Sequence, residues 1–352
     1  MVSKIFPVIV ATLVLSGCSI GIPSHLATSG GSVWKSFDAG ETFVPKVTVS
    51  ETQRISTADV VSLVFDPRDA QVIYIGTREN GIFKTSDGAE HWEQLVFPPI
   101  KTYGLALDQQ NGDRLYASGV YAGIAKIYRS DDAGKNWTEI YTEPGEGTVI
   151  TALVSHPDVP LVLYAGTSAG VVIKSTNGGE TWKNVLAADG PVTKALFHKG
   201  SPDLVTLLVL DQGVAVSADG GTTWNKYAAG DFLTANEGRV SLQNITTITA
   251  DPNAVNTLYA GAQNGLFRST DGGQSWQAID IIESSRAFPV RAVAVNPLNP
   301  SEIVYAAGNA FYKSVDGGMK WATTQLEIDR GVNIIEYDPS HPEIMYFALR
   351  KF

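Results

Sequence analysis

The chain is short of cysteine, of histidine and of positive charge. Its 352 residues include one cysteine and five histidines, and 26 basic side chains stand against 36 acidic ones. A single cysteine excludes a disulfide framework. A formal charge of −10 excludes the broad basic surface that non-specific binding of nucleic acid needs. Any anion site must therefore be local, and we expect no nucleic-acid partner.

Long apolar runs are also scarce, and one of them lies at the N-terminus. Lys4 precedes the apolar run at 5–15, and two small residues follow that run. This is the order of a secretory signal, and the run is too short for a stable membrane span. The segment Leu15-Ser16-Gly17-Cys18 resembles the lipobox of bacterial lipoproteins. The alternative is an ordinary cleavage site beside a fortuitous cysteine.

The N-terminal pattern predicts three consecutive segments. Residues 1–17 are predicted to be a lipoprotein signal peptide, and Cys18 is the residue expected to carry the lipid. Residues 18–31 are rich in Ser, Gly and Pro, and they are predicted to form a flexible tether. The protein would then be exported and anchored by lipid to a bacterial membrane, in the cell envelope.

One eight-residue pattern, Ser/Thr-x-Asp-x-Gly-x-x-Trp, recurs seven times along the chain with small departures. The copies are 42 to 52 residues apart, which is the size of one four-stranded propeller blade. Its hydroxyl, carboxylate and glycine are the groups of a tight turn, and its aromatic residue packs inward. We assign a structural role to the third position of every copy: Asp38, Asp87, Asp132, Asn177, Asp219, Asp271 and Asp316.

The order of runs within each unit predicts how the chain closes. Each full unit contains four short apolar or alternating runs separated by turn residues. The chain begins with a third and a fourth run at 32–49 and ends with a first and a second run at 332–349. We therefore predict an all-β fold in which residues 32–352 form a single seven-bladed β-propeller with four antiparallel strands per blade. The N- and C-terminal strands would close the last blade, which removes two exposed sheet edges.

The repeated octet resembles the Asp box, or BNR repeat. Sialidases, sortilin-type receptors, xyloglucan-cleaving endoglucanases and the photosystem II stability and assembly factor family carry this repeat. The resemblance implies a propeller and leaves the function open. A calcium loop is a competing interpretation of the clustered Asp and Gly, but the spacing lacks the remaining oxygen ligands of an EF-hand. We expect no metal site and no cofactor.

Catalytic signatures are scarce. The resemblance to sialidases lacks their Arg-Ile-Pro element. The xyloglucan-cleaving enzymes use two facing propellers, whereas one propeller fits this length. Two loop carboxylates would suffice for a glycosidase, and Glu79, Asp211, Asp231, Glu283 and Asp329 are available. We expect no catalytic residues, and a carbohydrate-active protein, either a glycan-binding module or a glycoside hydrolase, is the alternative.

Arginine points to a binding face. Seven of the eleven arginines fall on loops predicted to lie opposite the Asp boxes, and these are Arg54, Arg78, Arg239, Arg286, Arg291, Arg330 and Arg350. They belong to blades that become neighbours when the ring closes. Guanidinium groups in a cluster recognise carboxylates or phosphates. Strands exclude arginine, so collection in loops by chance is the alternative explanation.

The predicted tether and the longest predicted loop favour a protein partner. The tether would leave the ring on the same face as the arginines, which would hold that face near the membrane. The loop at 225–244 carries Asp231, Phe232, Glu237 and Arg239, and we expect it to contribute specificity. We therefore expect a non-catalytic platform for a membrane-associated protein, with a glycan as the alternative ligand.

Overall fold

The computed structural model describes residues 30–198, 200–228, 231–234, 238–241, 244–282 and 288–352. Within these ranges the chain forms thirty β-strands and no helix. Seven four-stranded antiparallel sheets and one two-stranded hairpin account for all of them. No helix in the described part of the chain is long and apolar enough to cross a membrane.

The first three blades follow one another along the chain. Blade 1 consists of β3 (Val60–Asp66), β4 (Asp69–Thr77), β5 (Gly81–Thr85) and β6 (Glu93–Gln94). Blade 2 consists of β7 (Lys101–Asp108), β8 (Asn111–Tyr121), β9 (Ile124–Ser130) and β10 (Thr138–Thr142). Blade 3 consists of β11 (Ile150–Ser155), β12 (Leu163–Thr167), β13 (Val171–Ser175) and β14 (Lys183–Ala187).

The next three blades repeat this arrangement. Blade 4 consists of β15 (Val192–His198), β16 (Ser201–Val209), β17 (Gly213–Ser217) and β18 (Asn225–Ala228). Blade 5 consists of β21 (Ile245–Ala250), β22 (Leu258–Ala262), β23 (Gly265–Ser269) and β24 (Gln277–Ile279). Blade 6 consists of β25 (Val290–Asn296), β26 (Asn299–Ala307), β27 (Ala310–Ser314) and β28 (Ala322–Gln325).

Blade 7 is shared between the two ends of the described chain. It contains β29 (Gly331–Tyr337), β30 (Met345–Arg350), β1 (Val33–Ser36) and β2 (Val44–Pro45). Strand β1 pairs antiparallel with β30, with Val33 opposite Ala348 and Ser36 opposite Met345. The seven-bladed all-β propeller and its closure by N- and C-terminal strands are therefore confirmed.

The first strand of each blade is the innermost one. First strands of neighbouring blades contact one another around the whole ring, and β29 contacts β3 to complete it. Seven clusters of buried apolar side chains lie between adjacent blades, one at each interface. At the interface that closure creates, Ile75 of blade 1 packs with Tyr346 and Ala348 of blade 7. The core is therefore a ring of interfaces between blades.

The long connection predicted at 225–244 is partly regular structure. Its first residues form β18, which completes blade 4. Strands β19 (Asp231–Thr234) and β20 (Gly238–Ser241) then form a separate antiparallel hairpin that contacts β24. The hairpin therefore includes Asp231 and Phe232 in β19 and Arg239 in β20. Glu237 lies outside the described residues.

Each Asp-box turn is held by its own hydroxyl and by its third-position side chain, which is a carboxylate in six copies and the Asn177 amide in the fourth. In the third copy, Ser130 Oγ donates to Asp132 Oδ1 at 2.8 Å and accepts a bond from the Gly134 amide at 2.8 Å. Asp132 Oδ1 also accepts from the Asn136 amide at 2.8 Å. The backbone there is left-handed, with φ of 61° at Ala133 and 87° at Gly134. These bonds describe a turn-forming role for the carboxylate.

The other six copies repeat the bonds of the third. In every one, the first-position hydroxyl donates to the third-position side chain and accepts from the fifth-position amide. Among the described residues, no group of three or more His, Cys, Asp or Glu is placed to hold a metal ion.

Blade 4 departs from the pattern of the buried second strands. The other six blades place a fully buried tyrosine at one equivalent position: Tyr74, Tyr116, Tyr164, Tyr259, Tyr305 and Tyr346. Blade 4 has Thr206 there, and the Thr206 hydroxyl lies 2.9 Å from Nε2 of the buried His198. Desolvation by burial lowers the pKa of the His198 imidazole to about 4. The ring is therefore held neutral in the folded protein.

We predict that His198 makes the propeller acid-sensitive. A histidine in the unfolded chain titrates near pH 6.5. Below that pH the unfolded chain therefore binds a proton at His198 that the folded protein does not bind, which favours unfolding. The loss of stability begins near pH 6.5, reaches roughly 2 kcal/mol by pH 5 and is complete below pH 4. Urea unfolding from pH 7.5 to 5 should show a steeper fall for wild type than for His198→Gln. Parallel pH profiles of the two proteins would contradict the prediction.

Candidate functional site: an arginine cluster opposite the Asp boxes

The antiparallel blades define two faces of the ring. The Asp boxes lie between third and fourth strands, at the end where first strands finish. The opposite end holds the starts of the first strands and the connections between second and third strands. We call this end the arginine face, because Arg78, Arg291 and Arg350 lie on it in blades 1, 6 and 7. Closure of the ring makes these three blades consecutive.

Phe352 brings two of these arginines together. The Arg291 guanidinium carbon lies 3.7 Å from the centre of the Phe352 ring, and the Arg350 guanidinium carbon lies 5.4 Å from it. The two cations therefore both lie against the Phe352 ring, which attracts them. The Lys351 amide donates to Asp59 Oδ1 at 2.9 Å and fixes this segment against blade 1.

The cluster is positive, and Asp59 is the carboxylate that acts on Arg350 in the described structure. None of the ion pairs found among the described residues involves Arg78, Arg291 or Arg350. Desolvation lowers the pKa of the Arg350 guanidinium, and the charges of Arg78 and Arg291 lower it further, while Asp59 opposes the shift. Desolvation also lowers the pKa of Arg291. A bound anion would relieve this unfavourable concentration of charge.

Arg330 has a different environment from the cluster. Its side chain is 4% exposed, and its guanidinium donates to the carbonyl oxygens of Ala58, at 3.0 Å, and of Ser56. Its nitrogens lie 3.7 Å from Asp59 and 3.6 Å from Asp329. Arg330 therefore links blade 7 to the segment that enters blade 1, and its donors point into the protein.

The remaining predicted arginines do not join the cluster in the described structure. Arg54 is exposed and pairs through its backbone with Thr48. Arg239 lies in β20, where only the backbone is described, and Arg286 lies outside the described residues. Cys18 and the predicted signal and tether up to residue 29 also lie outside the described residues. The described cluster therefore consists of Arg78, Arg291 and Arg350, with Phe352 between two of them.

A pocket of about 280 Å³ opens beside the cluster, between blades 6 and 7. Phe288, Arg291, Gly308, Asn309 and Gly331 line it, together with apolar groups of both blades. Phe288 is 50% exposed and Phe352 is 57% exposed. The arginine face therefore combines cations with exposed aromatic rings, which is the composition of protein-binding surfaces.

Two charged residues near the ring axis were not anticipated from the sequence. Lys194 and Glu336 occupy the innermost strands of blades 4 and 7. Desolvation raises the pKa of the Glu336 carboxyl to about 7, although the Lys194 charge opposes the shift. Desolvation also lowers the pKa of Lys194. The sequence could have indicated both residues, because each is charged at a position where the first strands of the other blades have an uncharged residue.

The seven turns and the seven blades define the chain as an Asp-box β-propeller. A sortilin model, described as sortilin, neurotensin receptor 3, matches residues 125–231, and a BNR/Asp-box repeat model matches residues 267–278.

Two curated relatives carry different functions. Photosystem II assembly lipoprotein Ycf48 of Synechococcus sp. (strain CC9902) is 26% identical over 270 residues, which cover 75% of this chain and 69% of that protein. A xyloglucanase of Hypocrea jecorina (strain QM6a) is 31% identical over 170 residues, which cover 47% of this chain and 18% of the enzyme. The chain thus spans less than a fifth of that enzyme and is homologous to proteins of both kinds.

Solved structures divide in the same way. The GH74 xyloglucanase from Xanthomonas campestris superposes with a TM-score of 0.68 at 18% identity, covering 83% of this chain and 51% of the enzyme. YCF48 bound to D1 peptide superposes with a TM-score of 0.63 at 15% identity, covering 86% of this chain and 97% of that one. At these identities the two superpositions establish the propeller fold.

We predict that Arg330 is a stabilising residue. Arg330→Met should lower the free energy of unfolding by about 3 kcal/mol, because it leaves the carbonyls of Ser56 and Ala58 without their donor and removes the buried cation near Asp59. Arg54→Met, at an exposed arginine, should change it by less than about 0.5 kcal/mol. Urea unfolding of both variants checks this, and equal effects would contradict a structural role for Arg330.

Proposed function

We propose that this protein is a non-catalytic platform that binds a membrane-associated protein through its arginine face. The observation that carries the proposal is the cluster of Arg78, Arg291 and Arg350, which lacks ion-pair partners among the described residues. On a chain of net charge −10, such a cluster selects locally for acidic groups. An acidic segment of a protein supplies those groups together with apolar side chains for the exposed rings.

We also propose that lipid at Cys18 holds this face toward a bacterial membrane. The described chain starts on the arginine face, since the Ser32 carbonyl accepts a bond from the Leu349 amide one residue before Arg350. The predicted tether of residues 18–31 would reach about 40 Å when fully extended. The arginine face would therefore remain within reach of segments that project from the membrane.

The relatives support a binding role more directly than a catalytic one. The relative with the fuller coverage of both chains is named as an assembly lipoprotein, and one solved YCF48 structure holds a D1 peptide. The xyloglucanase structure is about twice the length that this chain covers. A site that is completed outside the matched half of such an enzyme would be absent from this ring.

The second candidate function is a carbohydrate-active propeller. The 31% identity to a xyloglucanase favours it, and the loop acids Glu79, Asp211 and Asp329 are exposed. Release of reducing ends from xyloglucan by the purified propeller, lost in variants of these acids, would establish this function in place of the platform.

We predict that reversing the cluster charges abolishes capture of the partner. A membrane protein should co-purify with the wild type from detergent-solubilised membranes. The amount recovered with the variant Arg78→Glu/Arg291→Glu/Arg350→Glu should be at least tenfold lower. Paired mass spectrometry after cross-linking measures the loss. The reason is that carboxylates replace guanidinium groups opposite an acidic segment, and like charges repel.

A matched control separates the cluster from net charge. Lys135→Glu/Lys183→Glu/Lys320→Glu makes the same charge change at exposed lysines near the Asp-box turns. This control should retain the partner. Identical partners from wild type and from both variants, or recovery of oligosaccharide alone, would overturn the platform proposal.

We predict that Cys18→Ser releases the protein from membranes. Acyl chains on one residue supply the binding energy of the anchor, and the predicted signal is too short to remain as a span. Fractionation should find wild type in the membrane pellet and the variant in the wash. Retention of the variant in the pellet would contradict lipidation at Cys18.

A further inference from the structure

The pocket beside the cluster lies at an interface that lacks a contact present between three other pairs of neighbouring blades. Every first strand contains a register shift near its start. In three blades the residue at the shift donates to the first strand of the next blade. Thr151 donates to the Val192 carbonyl at 2.5 Å, Asn333 to the Val60 carbonyl at 3.1 Å, and Thr246 to the Val290 carbonyl.

Arg291 occupies the equivalent position in blade 6 and makes a different contact. The corresponding carbonyl of the next blade belongs to Val332, and no bond from Arg291 to it is present in the described structure. The Arg291 guanidinium instead stacks on Phe352 at 3.7 Å. Blades 6 and 7 therefore lack this contact, and Val332 and Arg291 both line the pocket.

Aromatic rings border the pocket at two glycines. A Cβ at Gly308 would lie 2.9 Å from Phe288, and a Cβ at Gly331 would lie 2.7 Å from Phe352. Each ring therefore packs directly on a glycine of the pocket wall. The polar groups of the lining include the cationic Arg291 and the exposed side chain of Asn309. The result is a pocket of mixed polar and apolar lining, bordered by two aromatic rings and by the cation of Arg291.

We propose that this pocket binds an apolar side chain of an acidic peptide segment whose neighbouring carboxylate pairs with Arg291. Charge complementarity fixes the sign of the ligand, because no carboxylate pairs with Arg291 in the described ion pairs. The volume of about 280 Å³ accommodates one large side chain. This inference rests on the platform function and identifies where the partner would insert its anchor residue.

N-acetyl-L-phenylalanine is a probe that carries both required groups. We expect saturation-transfer NMR on the full propeller to show millimolar binding. The carboxamide analogue and the Arg291→Gln variant should each weaken binding at least tenfold. Asn309→Trp, which fills the pocket mouth and leaves the arginines in place, should abolish it. Arg54→Gln is the matched control and should bind as wild type does.

Several results would overturn this inference. They are equal binding of the acid and the amide, unchanged binding by a folded Asn309→Trp, and no binding to wild type up to about 10 mM. The charge-reversal co-purification tests the platform separately. If the partner is lost from the charge-reversed triple variant while the probe fails to bind wild type, the pocket inference fails and the platform stands.

Discussion

The pairing of β1 with β30 is the contact on which the rest of the ring depends. Without it, blade 7 would have two strands and the sheet would expose two hydrogen-bonding edges. The same pairing brings Arg350 beside Arg78 and Arg291, residues that are distant in sequence. It also creates the interface that Arg330 secures through Ser56 and Ala58. Stability and the candidate site therefore have a common origin in closure of the ring.

Residues that recur in every blade stabilise the propeller, and residues that differ in one blade account for the features specific to this protein. Six hydroxyl–carboxylate turns and one hydroxyl–carboxamide turn, at Asn177, repeat nearly the same bonds, so exchange between blades would change little. Thr206, bonded to His198, stands in place of a buried tyrosine, and this pair is predicted to bring acid sensitivity. Arg291 stands where three other blades have a residue that bonds to the next blade, and a pocket opens there. In a repeat protein, comparison between blades substitutes for comparison between species as a guide to unusual positions.

The sequence was sufficient for the fold because turn chemistry is local. The hydroxyl, carboxylate and glycine that form each turn are visible in the octet itself. The spacing of the octets equals the length of one blade, and the order of runs at the chain ends predicts the shared blade.

The candidate site was harder to predict from the sequence. Whether an arginine is exposed depends on which chain segment covers it. Sequence position alone therefore could not show that Arg330 is buried and that Arg350 belongs to the cluster. Phe352 was missed because stacking on two guanidinium groups depends on three-dimensional packing, and the hairpin β19–β20 because its pairing is confined to a connection.

The distribution of charge explains why one face can be selective on an acidic protein. Repulsion from the remaining surface keeps acidic partners away except where Arg78, Arg291 and Arg350 concentrate positive potential. Burial weakens the hydration of these cations, which lowers the pKa of Arg291 and Arg350 and strengthens the attraction for a carboxylate that reaches them. Exposed rings beside the cations favour a partner that is both acidic and apolar. Simple anions satisfy only half of that requirement, so under the proposed function the face would discriminate by the combination of charge and apolar surface.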